Sequence, residues 1–167
     1  WLVYDVKCGN GGDSLDAQGV DFTLGGTTYT ISPTSPAGKR GISSPMSGTF
    51  TVGGISPNYN TLADALTDIN LKGLSGAVTL NVRAGHVERA PVGGLQLYIN
   101  SSCPGYRSSK ARPIMIRKSG TGANPKIVGF AGTATLASPA PDGIFKIVGE
   151  DWVTIDGIDL EDTSTST

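Results

Sequence analysis

Charge, histidine, cysteine and long apolar runs are all scarce in this chain of 167 residues, and each scarcity excludes something. Charged residues make up only 16%, and 13 basic side chains stand against 14 acidic ones without long runs of either sign. A nucleic-acid partner, which would call for a basic face, is therefore not expected. No stretch approaches the ~18 consecutive apolar residues of a membrane-spanning helix, so no membrane span is expected. His86 is the single histidine, which leaves no Ser/His or Cys/His pair and no two-histidine zinc set within these residues. Neither catalytic residues, nor cofactor contacts, nor metal ligands are assigned. Cys8 and Cys103 belong to no C-x-x-C pair, so metal-knuckle and thioredoxin-like readings fall away and a disulfide between them stays open. No charged-then-apolar signal segment precedes Trp1, which reads as a processing or proteolytic boundary.

What is plentiful is glycine and proline, 24 and 10 residues, together about a fifth of the chain. With abundant Ser, Thr and Asn and little Lys or Glu, this composition points to a β-rich, turn-rich extracellular or cell-surface protein. Residues 1–31 alternate as short strands, including Val20 to Leu24 and Thr27 to Ile31 around Gly25-Gly26. Two or three strands do not close a core, so 1–31 is read as the C-terminal part of a β-sandwich domain. Residues 32–47 carry three prolines and no apolar period and are read as a linker, with 48–167 as the second domain.

One helix is well signalled over about 61–72. Thr61 is placed to cap it, Asp64 sits three positions on, Gly73 stops it, and Leu62, Ala65, Leu66 and Ile69 form one apolar stripe. From Val78 onward come short apolar runs bounded by turn residues: Val78 to Val82, Leu95 to Ile99, Ile114 to Ile116, Ile127 to Phe130, Ile144 to Val148 and Val153 to Leu160. No helical pattern lies between them to make βαβ crossovers, so the runs suit stacked parallel coils, with an antiparallel sandwich as the rival arrangement. Gly157 offers a corner between two strands of the last run.

The phrases Gly48-Thr49-Phe50-Thr51-Val52, Tyr59-Asn60-Thr61-Leu62, Gly76-Ala77-Val78-Thr79-Leu80, Ala84-Gly85-His86-Val87-Glu88 and Asp151-Trp152-Val153-Thr154-Ile155 follow one another in an order that resembles the opening of a right-handed parallel β-helix of the pectin-lyase-like class. His86 departs from the aromatic usual at its place, and Asn100 to Arg112 has no counterpart. Trp1-Leu2-Val3-Tyr4-Asp5-Val6, Leu15-Asp16-Ala17 and Leu24-Gly25-Gly26-Thr27 resemble the end of a β-sandwich module found ahead of sialidase-type repeats in large Bacteroidetes surface proteins. The resemblance implies an all-β fold: the N-terminal cap and first coils of such a solenoid, preceded by part of a sandwich. It also implies export by the type IX route.

The expected function is structural and adhesive, with the solenoid as spacer or binding face. Its partners would be the rest of its own longer chain, or a partner subunit covering the open coil end, and a polysaccharide. A polysaccharide lyase or hydrolase with its site in other coils, and a non-catalytic carbohydrate-binding module, are the alternatives. Tyr98, Tyr106 and Arg112 are the candidate sugar contacts. Glu88 and His86 are read as structural turn residues, Asp156 and Asp159 as solvent-facing, and Trp152 as coil packing. Arg83, Arg89, Arg107, Arg112 and Arg117 with Lys110 and Lys118 form a candidate basic face for an acidic sugar, or edge-protecting charges.

Overall fold

The computed structural model describes residues 14–15, 20–31, 40–41, 44–99, 104–130 and 143–162. Cys8, Cys103 and the strand expected over Trp1 to Val6 lie outside them. The chain divides into two compact units, Trp1–Ser44 and Pro45–Thr167.

In the first unit, β1 (Ser14–Leu15) pairs antiparallel with β4 (Arg40–Gly41). Strands β2 (Val20–Leu24) and β3 (Thr27–Ile31) form a hairpin. Its two loop residues, Gly25 and Gly26, have φ of 61° and 80°, the double left-handed turn whose twist matches that of paired strands and which glycine enters at least cost. The described residues of this unit hold these two small antiparallel pairs.

The second unit opens with β5 (Met46–Val52). Met46 is buried and pairs with Leu74, so the end of the span read as a linker is already core. Helix α1 (Leu62–Lys72) follows, with Thr61 Oγ1 accepting from the Asp64 amide at 3.1 Å and the Gly73 amide donating to the Ile69 carbonyl. Replacing Thr61 by Ala is expected to cost about 1 kcal/mol in a urea unfolding titration, because one helix-end amide loses its acceptor. At Gly73, φ is 71° and a Cβ would lie 2.7 Å from Tyr106 Cβ, so the stop requires glycine for both conformation and space.

Strands β6 (Leu74–Arg83), β7 (Val87–Arg89), β8 (Leu95–Leu97), β9 (Ile114–Ser119), β10 (Lys126–Val128), β11 (Phe145–Ile147), β12 (Val153–Asp156) and β13 (Asp159–Glu161) complete the unit. They form three sheets, in the orders β12-β9-β6-β5, β13-β10-β7 and β11-β8, and every pairing in these is parallel. The rival antiparallel arrangement is thereby set aside for this unit. Strand β6 runs longer at both ends than its apolar stretch predicts, and the last run splits at Gly157, whose φ of 67° makes the corner.

The expectation of an all-β chain opening a right-handed parallel β-helix is corrected. Strand amounts to 44% and helix to 12%, the mostly parallel strands fall in several sheets beside one helix, and no closed solenoid is formed among the described residues. The physical reason lies in what closes the core. Leu62, Ala65, Leu66 and Ile69 of α1 are as fully buried as Leu80, Leu95, Leu97, Ile114, Ile116 and Ile127 of the sheets. The helix thus supplies apolar cover that coils alone would have to provide, and it is part of the fold class. Among the described residues no helix is long and apolar enough to cross a membrane.

Candidate functional site

Two buried carboxylates join α1 and the loops to the sheets. Glu88 sits in β7 in register with Ile127 and Leu160, in a row whose neighbours are apolar. It is tolerated there because its oxygens accept from the Leu62 and Ala63 amides at 2.6 and 2.9 Å, two of the donors that a helix start leaves unpaired. His86 Nε2 lies 3.1 Å from Glu88 Oε2, so the only histidine is engaged in the same tie. The structural reading of both residues agrees with this geometry, although the amides that Glu88 binds are those of the helix and not of a coil.

Glu150 is the second. It accepts from the Ile99 amide at 3.1 Å, from Arg107 Nε and Nη2 at 3.1 and 3.0 Å, and from the Ser108 amide and hydroxyl at 3.0 and 2.6 Å. Burial pushes its pKa up, but these donors outweigh burial and hold the carboxyl below its ordinary value. Sequence reading passed over Glu150 because its donors come from a segment about forty residues earlier, and nothing local marks the match. Asn70, also buried, takes the Tyr98 amide on Oδ1 and gives Nδ2 to the Gln96 carbonyl, fastening α1 to β8. On the outer side of α1, Tyr59 donates to Asp68 at 2.8 Å; burial and that carboxylate raise the phenol to about 12.

The three candidate sugar contacts do not converge. Tyr98 is half exposed on the wall of a cleft of about 740 Å³ between α1 and β8, where Leu71, Val92 and Val148 are also exposed and Arg107 reaches the rim. Tyr106, in the short 3₁₀ turn Pro104–Tyr106, packs over Gly73 instead, and Arg112 Nε donates to the Arg107 carbonyl. Neither lines that cleft. Trp152 is 57% exposed with φ of 55°, so it does not serve as coil packing. Asp156 and Asp159 are exposed, as expected; Asn124 donates to Asp159 at 2.9 Å.

The basic face is mostly tied down. Arg89 donates to the Gly129 carbonyl, Arg107 holds Glu150, Arg112 caps a carbonyl, Arg117 Nε binds Asn81 Oδ1, and Lys118 binds the Gly122 carbonyl and Asn124. The Arg83 guanidinium has no hydrogen bond or ion pair to any described residue. It stands in a second groove, of about 490 Å³, at the carboxyl ends of β5, β6 and β9, with Thr51, Ser56, Asn81, Ser119 and Thr121 around it.

The unit has one covered end and one open end. Helix α1 is bound to β7 through Glu88 and to β8 through Asn70, and it packs on β5 and β6. At the opposite end β11, β12 and β13 are each the last strand of their sheet. Along each inward row, exposure jumps at that last strand. Leu80 and Ile116 are 0% and 1% exposed but their partner Ile155 is 38%; Ile127 is 0% and Leu160 53%; Leu97 is 1% and Ile147 44%. Searches of known proteins found no family profile, no curated protein and no solved structure that matches this chain.

Proposed function

We propose that this chain is a structural and adhesive segment of an extracellular or cell-surface protein, exported by the type IX route, whose parallel strands serve as a spacer and present an outer polar face. The observation that supports it is the open end. Ile147, Ile155 and Leu160 lie in the same rows as fully buried core residues and are exposed, with no strand paired beyond theirs among the described residues. Apolar side chains in three rows, beside strand edges that are unpaired among the described residues, make a surface for another segment to cover. That cover comes from the rest of its own longer chain or from a partner subunit.

A photo-crosslinking residue placed at Ile155 in cells that express the native protein, with Ile55, which is more exposed still, as the control, tests this. The expected result is an adduct at position 155 joining it to a later segment of its own chain or to a second protein, no adduct at 55, and cleavage of the protein by protease added to intact cells. Absence of any adduct at 155, or protection from external protease, would refute the reading.

A further inference from the structure

The groove around Arg83 is built in a way that core packing does not require. Gly54, with φ of 93°, has no Cβ where one would lie 2.6 Å from Arg83 Cδ, so the loop after β5 is shaped to seat that side chain. Ser56 in the same loop has φ of 49°, a left-handed conformation costing ~1 kcal/mol in a residue with a Cβ. The loop is held in that shape at its base. Thr51 N and Oγ1 both donate to Asn58 Oδ1, at 2.8 and 3.0 Å, and the Asn58 amide donates to Thr51 Oγ1. Among the described residues Arg83 is the only charged one in the groove lining, and no carboxylate is among them. Five other cations of the candidate basic face, Arg89, Arg107, Arg112, Arg117 and Lys118, are given acceptors by the fold, and this one has none among the described residues.

We propose that the groove binds the tetrahedral oxyanion of a sugar ester, a sulfate or phosphate carried on a polyhydroxyl ring. A guanidinium fork satisfies two anion oxygens and leaves a third, which a planar carboxylate lacks. Ser56, Ser119 and Thr121 line the same groove and carry hydroxyls able to donate to that third oxygen. The volume exceeds what an oxyanion alone fills and lies within the range of small-molecule sites. Asn81 and the 90% exposed Ile55, a polar and an apolar wall, remain for the hydroxyls and the C–H face of the ring.

The proposal names a ligand for the adhesive reading and rests on it in one respect, that the outer face of the four-stranded sheet meets the surroundings. Titration calorimetry of the 167-residue chain with glucose 6-sulfate, glucose 6-phosphate and unmodified glucose tests it. One or both esters are expected to bind at least ten-fold tighter than glucose, and the tighter one identifies the source of the anion. Arg83→Ala should weaken ester binding at least ten-fold and Arg83→Lys, which keeps the charge but loses the fork, several-fold. Lys110→Ala, which removes the same charge from an exposed turn elsewhere, should leave it unchanged. Equal losses in the Arg83 and Lys110 variants, glucose binding as tight as the esters, or no ester binding would each overturn the site. A crosslink at Ile155 in the same protein would still leave the structural reading standing.

Discussion

Glu150→Ala is expected to lower folding stability by about 3–5 kcal/mol, the cost of breaking a buried, hydrogen-bonded ion pair by removing one partner. Five donor contacts converge on its two oxygens. Arg107, 35% exposed, can turn to water when the carboxylate is gone. The Ile99 and Ser108 amides are fixed by the backbone and would lose their acceptor. Glu150→Gln retains an acceptor for those amides but not the charge, so its loss should be about half as large. Urea unfolding measures both, and equal stability of all three proteins would show that the cluster contributes nothing. The same group sets part of the acid limb. Its pKa is lowered by folding, so its stabilisation is fully present above the ordinary carboxylate range and disappears as pH falls through that range toward the native value. Asp68, lowered as well because hydrogen bonds from Lys72 and Tyr59 outweigh its burial, acts in the same window. The Glu150→Ala protein should therefore keep a shallower acid limb, the part owed to Asp68.

Glu88→Ala is expected to cost about 3 kcal/mol. A carboxylate accepting two amides at the start of a helix makes charge-assisted bonds worth ~1.5–3 kcal/mol each, less what water regains for the freed groups. The Leu62 amide is the critical one, since Leu62 is fully buried and water reaches it poorly. The loss should be local as well as global. Hydrogen exchange at Leu62 and Ala63 should accelerate more than at Ile114 and Ile116 in the centre of the four-stranded sheet, because α1 loses its tie to β7 while the sheet keeps its own ladder. Uniform acceleration would mean that helix and sheet open only together.

Local signals in the sequence were reliable where one segment contained the whole reason for its conformation. The helix from Leu62 is specified by Thr61, an apolar stripe and Gly73, and the β2-β3 hairpin by Gly25-Gly26 between alternating residues. The short runs after Val78 are strands because β-branched and aliphatic residues stand between turn formers. Sugar-contact residues were not legible in that way. Tyr98, Tyr106 and Arg112 are near in sequence, but Tyr106 is turned onto Gly73 and Arg112 onto a carbonyl, while Tyr98 faces the cleft.

The sequence by itself determined the β-rich character, the helix and its buried stripe, the parallel-strand candidates, and the exclusion of two-histidine chemistry within these residues. Only the tertiary structure decided that the strands lie in several separate sheets with a helix completing the core, which carboxylates are buried, and that Arg83 stands in a groove with no acceptor among the described residues. The reason is range. Turn chemistry and apolar period act over three to ten residues, and each segment carries them itself. The partner of Glu150, the helix end that Glu88 binds and the loop that seats Arg83 are about 25 to 50 residues away along the chain, brought near only by the stacking of parallel strands.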